Sequence, residues 1–317
     1  MPASNSAPAA PSGAADASAH APSSSGTATA RGALIALLAG ALGISFAPIF
    51  VRLSEVGPVA TAFWRLLLSW PVLWLWMTLE RRRTSTPLPT RADRGRLVAA
   101  GLFFAADLAV WHWSIHFTSV ANATLLANFA PVFVTLGGYV FLRQRFTWVF
   151  LLGMVLALAG ASLLMSSSFR LSREHVIGDG LGMLTAVFYA GYILSVSELR
   201  ARFSTATIMT WCGAVTTVAL LGITLAMREP LMPPSGRGWA VLIGLALVSQ
   251  AAGQSLIAYA LAHLPPSFSS VALLLQPASA AVLAWALLSE PLGAVQAAGG
   301  AVVLGGVVLA KVGSARR

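Results

Sequence analysis

Charge is scarce in this 317-residue chain: Asp, Glu, Lys and Arg make up 9% of it, against roughly a quarter in soluble globular domains. With 57% hydrophobic residues and a mean hydropathy of +0.79, a water-soluble globule is excluded. Cysteine is almost absent. Cys212 stands alone inside an apolar stretch, so no intrachain disulfide can form, and it reads as a helix-packing residue. Carboxylates are rarer than bases, which gives a net charge of +10 and a pI near 11.3. The basic residues fall between apolar runs rather than in one block, so they suit anionic lipid headgroups, and no nucleic-acid partner is expected.

Residues 1–30 are nearly all Ala, Ser, Pro, Gly and Thr, a composition without enough apolar surface to offset ordering, so they are expected to form a disordered cytoplasmic tail. They lack the basic start and apolar core of a signal peptide. From Gly32 onward ten apolar segments follow, at about 32–51, 58–79, 96–116, 120–142, 147–166, 178–198, 204–227, 238–260, 267–288 and 293–311. Each approaches the roughly 20 residues that carry a helix across a ~30 Å hydrocarbon core.

The segments repeat. A slide of 146 positions, from Pro131 to Pro277, lays Val120–Leu164 on Pro266–Ala310 without a gap. It matches Leu142 to Leu288, Val149 to Val295, Gly153 to Gly299, Leu158 to Leu304, Gly160 to Gly306 and Leu163 to Leu309. The same slide carries Gly32 to Gly178 and the Asp107 segment onto the Gln254 segment. The expected fold is an all-α integral membrane protein of ten transmembrane helices in two five-helix repeats, 31–166 and 178–311. Five is odd, so the second repeat should enter from the opposite face, giving the inverted repeats common in secondary transporters.

Arg and Lys in short loops set the orientation. With both termini cytoplasmic, Arg31, Arg81, Arg82, Arg83, Arg91, Arg94, Arg96, Arg143, Arg145, Arg200, Arg202, Lys311, Arg316 and Arg317 lie inside, and only Arg52, Arg170, Arg173, Arg228 and Arg237 outside. Trp74, Trp76 and Trp148 fall where interfacial anchors belong. Gly153, Ala157, Gly160, Gly299, Gly300, Gly305 and Gly306 form small-residue faces suited to scaffold packing or to a homodimer.

Several polar residues interrupt the apolar spans. Arg65 and Asp107 are opposite charges at similar depth, either a structural pair or part of a transport site, since intramembrane charges are costly and tend to be functional. His112 and His116 lie one turn apart; Trp113 stands where a zinc protease would need Glu, so no metal site is expected, while His112 could carry a proton. Thr124, Asn128, Pro131 and Thr135 make one polar face broken by a proline, and Ser269, Gln276 and Pro277 match it in the second repeat. A proline frees a carbonyl that hydrocarbon tolerates only beside protein or a wet cavity. Gln250 and Gln254 share a face, and Tyr189, Tyr192, Trp111 and Ser45 complete a candidate amphipathic cavity. A seam of helix-to-helix hydrogen bonds is the competing interpretation. Arg65, Asp107 and His112 are too few and too scattered for an enzyme, so no catalytic residue and no cofactor is expected.

These residues resemble the EamA-type family of the drug/metabolite transporter superfamily over about 32–311. The resemblance rests on Gly43 and Phe46, Arg65, Pro131 and Pro277, the Leu288-Ser289-Glu290-Pro291-Leu292 turn and the glycine-rich helix after each proline span. Arg143-Gln144-Arg145 departs from the usual Gly-Glu-Arg turn, and Leu42 stands where an aromatic is frequent. The resemblance implies a transporter in the bacterial inner membrane that exports or exchanges a small metabolite such as an amino acid, with protons as a candidate coupling ion. Its cavity would be lined by spans one, three, four, six, eight and nine, with spans five and ten to the side. A channel or non-transporting scaffold is the alternative.

Overall fold

The computed structural model describes residues 24–83, 89–118, 120–166, 176–289 and 292–315. Among them ten helices are long and apolar enough to cross a membrane: α1 (Thr29–Leu53), α2 (Pro58–Arg83), α3 (Arg91–Ser114), α4 (Asn122–Val140), α5 (Trp148–Met165), α6 (Val176–Arg200), α7 (Thr205–Met227), α8 (Gly236–Ala260), α9 (Pro266–Leu287) and α10 (Ala294–Ser314). No strand occurs among the described residues. The expected spans are all present. Several ends differ by a few residues: α2 runs on to Arg83, α3 starts at Arg91 behind the Thr90 cap, and helical backbone begins at Ser24, inside the stretch expected to be disordered, because extending an established helix adds one hydrogen bond per residue fixed. The tail through residue 23, the loop holding Arg170 and Arg173, Glu290, Pro291, Arg316, Arg317 and the side chain of His116 lie outside the described residues.

Internal duplication is visible in the packing. α5 lies along α10, and glycine makes this possible. A Cβ on Gly153 would sit 2.7 Å from Gly306 O and one on Gly306 2.7 Å from Gly153 O; Gly160 and Gly299 meet in the same way at 2.7 and 2.9 Å. The 146-residue slide turns one pair into the other. Contacts run from Phe150 beside Gly313 to Leu164 beside Gly299, so the two helices are antiparallel along their length. This small-residue face is therefore used for packing within the chain, the first of its two expected roles: Gly153, Gly160, Gly299 and Gly306 already have backbone against them, while Gly305 faces open space.

The remaining helices interleave. α3 packs on α6 and α1 on α8, a second exchange between repeats, and α2 packs on α7. A Cβ on Gly40 or Gly43 would sit 2.8 or 3.2 Å from the backbone of Gly253, and Ser249 Oγ donates to Gly43 O (2.9 Å). On the α3–α6 side, Ser114 Oγ donates to Gly178 O (2.7 Å) and Thr118 Oγ1 to Asp179 (2.8 Å). Small residues and hydroxyl bonds of this kind are what holds helices together where no hydrophobic gain separates protein from lipid. Cys212 is buried in the α3–α7 contact, its Sγ 3.6 Å from Leu97 O. Trp74, Trp76 and Trp148 are exposed.

Candidate functional site

Four spans depart from regular α-helix. α4 divides into Val120–Ala127 and Ala130–Val140, with Pro131 in the first turn of the second piece. α9 divides at the matching place, into Pro266–Ala272 and Leu275–Leu288. Pro131 offers no N–H to Ala127 O, and Pro277 none to Leu273 O, which accepts from Gln276 N instead (2.9 Å). α1 divides after Ser45, with Pro48 opening the next piece. In α8 a π-helical stretch runs from Leu245 to Gln254; such stretches accompany functional sites.

These irregular segments surround one cavity of about 250 Å³. Ile44, Ser45 and Val51 contribute from α1, Asp107, Trp111 and His112 from α3, Thr124, Asn128 and Pro131 from α4, Tyr189 from α6, Gln254 from α8, and Gln276 and Pro277 from α9. α5, α7 and α10 supply nothing to the wall. The resemblance omitted span two, yet Thr61, Ala62 and Arg65 of α2 also line it. Most of the wall is carbon, with polar groups at a few points, the usual make-up of a small-molecule site.

Arg65 and Asp107 both face this space and sense each other's charge, but they do not form a contact ion pair. Ion pairs within 4.0 Å do form elsewhere, between Arg96 and Glu198 and between Arg202 and Asp93. Arg65 is instead oriented by Gln250: its Nε donates to Oε1 at 2.9 Å, and Gln250 is 1% exposed. Asp107 accepts no hydrogen bond among the described residues. The cavity thus holds a fixed cation and a separate carboxylate.

Of the expected residues, Ser45, Arg65, Asp107, Trp111, His112, Asn128, Pro131, Tyr189, Gln254 and Gln276 converge on the cavity. Gln250 and Tyr192 stand behind the wall. Tyr192 is buried against Phe104 (4.6 Å between ring centroids) and Tyr189 (6.1 Å), and its hydroxyl accepts from Gln254 Nε2 at 3.1 Å. Ser45 Oγ is turned back to Ala41 O (2.7 Å). His112 Nδ1 donates to Leu108 O (2.6 Å), and the indole of Trp111 meets the His112 ring edge-on at 4.9 Å. Asn128 Nδ2 lies 3.9 Å from Met165 Sδ. Gln276 Nε2 is buried without a hydrogen bond among the described residues. Among the described residues no group of three or more His, Cys, Asp or Glu side chains comes together to hold a metal.

Sequence reading missed Thr61, Phe104, Thr185 and Ser270 in the wall. Thr61 lies one turn before Arg65 and Thr185 one turn before Tyr189, so the i, i+4 rule applied to residues already chosen would have found both. Phe104 stands three residues before Asp107 and Ser270 seven before Pro277, spacings that also share a helix face.

The sequence pattern of the EamA-like transporter family matches residues 31–166 and again 176–311. A pseudopaline exporter of Pseudomonas aeruginosa is 28% identical over 208 residues, 66% of this chain and 72% of that protein. A probable terminal-alkyne amino-acid exporter of Streptantibioticus cattleyicolor is 28% identical over 228 residues, 70% of this chain and 76% of its own. One crystal structure superposes with a TM-score of 0.73 at 18% identity, covering 89% of this chain and 98% of the other, which speaks for the fold alone. A duplicated five-helix pattern matched twice, on a ten-helix fold built around one cavity, makes this chain an integral membrane protein of the EamA-like transporter family.

Proposed function

We propose that this protein exports a small zwitterionic metabolite, an amino acid or a close relative, across the bacterial inner membrane by alternating access. The separation of Arg65 from Asp107 carries this reading. A contact ion pair would satisfy itself and leave nothing for a ligand, whereas a guanidinium held by Gln250 and an unbonded carboxylate offer one pole to a substrate carboxylate and the other to its ammonium. Gln276 Nε2 adds an unused donor, and the apolar wall suits the side chain. The names of the two exporters, one of an amino acid, point the same way.

In this reading the repeats are inverted, both termini are cytoplasmic, and rocking of the interleaved helices about the α5–α10 seam exposes the cavity alternately. The antiparallel course of α5 and α10 and the arginine-rich loops support that arrangement. Protons are the candidate coupling ion, taken up at Asp107. Purified protein in liposomes should show saturable amino-acid uptake that is accelerated by the same compound on the far side. Uptake that never saturates identifies a channel, and no uptake of any amino acid removes the proposed substrate class.

A further inference from the structure

A second cavity, about 160 Å³, lies away from the first where the two repeats meet. Gln144, Arg145, Phe146, Thr147 and Phe150 form one wall, from the α4–α5 turn into α5; Pro265 and Ser267 at the start of α9 and Gly313 and Ser314 at the end of α10 form the other. No carboxylate lines it among the described residues. Arg145 makes no ion pair among the described residues. Ser267 is 3% exposed and its hydroxyl has no partner among the described residues. Thr147 caps α5, accepting from Phe150 N (3.2 Å) while donating to Gly313 O (2.9 Å), so the positive end of an 18-residue helix is fixed at the rim.

The matching turn of the second repeat shows that this charge is not demanded by the fold. Arg143 and Ser289 occupy the same place under the 146-residue slide and share a left-handed backbone, φ 51° and 55°. Yet the first turn reads Arg143-Gln144-Arg145 and the second Ser289-Glu290-Pro291. After the same left-handed residue position, the sequence thus carries a second arginine and no acid in one repeat, and a glutamate in the other. Tyr139, Phe141 and Trp148, beside the basic turn, are 63, 79 and 85% exposed, the aromatic fringe of a headgroup layer.

The geometry points to a phosphate-binding site here, formed by Arg145, Ser267 and the start of α5, and occupied by a phosphodiester lipid headgroup. A basic cleft between spans at headgroup depth is where such a lipid binds. Its occupant would bridge α5 to α9 and so tie the two repeats together.

The test uses the full chain in a nonionic detergent, titrated with dihexanoyl phosphatidylglycerol, dihexanoyl phosphatidylcholine or inorganic phosphate, and read by native mass spectrometry and thermal shift. Phosphatidylglycerol should bind the wild type, and Arg145→Gln or Ser267→Ala should weaken it, the former by about tenfold, the loss of one charge-assisted bond. Arg94→Gln, an exposed arginine outside the cleft, should leave binding unchanged. Inorganic phosphate binding as well as the lipid, and equally sensitive to Arg145→Gln, would keep the site and make a free anion its occupant. Absence of binding by both anions, or equal affinity in Arg145→Gln, Ser267→Ala and Arg94→Gln, would overturn the proposal.

Discussion

Replacing Asp107 by asparagine removes one charge and almost no volume, which makes it the sharpest probe of the cavity. Asp107 makes neither an ion pair nor a hydrogen bond among the described residues, so the folded state loses only long-range attraction to Arg65. We expect melting temperature to move by no more than about 2–3 °C, the effect of under about 1 kcal/mol in a protein of this size. Transport should respond differently. A charge-assisted contact to a substrate ammonium is worth about 1.5–3 kcal/mol, and at 1.4 kcal/mol per tenfold its loss lowers uptake efficiency by roughly 10- to 150-fold. Arg65→Ala makes the opposite contrast. It leaves Gln250 Oε1, in a side chain 1% exposed, without its donor, at a cost of about 1–3 kcal/mol, so folded yield should fall together with activity. Because the two groups do not touch, removing both should not restore stability. The assays are thermal unfolding and liposome uptake over a pH series, in which Asp107→Asn should also flatten any pH dependence. Wild-type transport by Asp107→Asn at every pH, or full recovery of folding in the double variant, would refute this reasoning.

Gly306→Val should abolish monodisperse protein on size exclusion, because its Cβ would lie 2.4 Å from Ala157 N, whereas Gly305→Ala, which meets open space, should fold normally. Asp93→Ala removes a capping box with Thr90 and a 2.6 Å bond from Arg202; loss of the cap alone should cost about 1 kcal/mol, measurable as a lower denaturation midpoint. Single cysteines at Arg83 and at Arg228 should label from opposite faces of intact vesicles, with the cytoplasmic face reaching Arg83. The buried native Cys212 should stay silent, and labelling of both from one face would end the inverted topology.

What the sequence by itself determined is the part governed by the solvent. Hydrocarbon requires about 20 apolar residues per span and internal hydrogen bonding throughout, so span number and the repeat were written in composition and period, and the span limits to within about five residues. Prolines at matching places marked the broken helices of α4 and α9, because a missing donor is a local property. Tertiary structure decided the rest. Nothing in the order of residues says that Gln250 rather than Asp107 holds Arg65, since the three come from three spans whose rotation about their own axes depends on packing. The π-helical stretch of α8 has no local signature in the sequence, and Gly40 and Gly43 of α1 pack against Gly253 within it. The glycine faces of α5 and α10 were legible as faces, but whether they met each other or a second copy of the chain depended on which surfaces remained free after ten helices had packed.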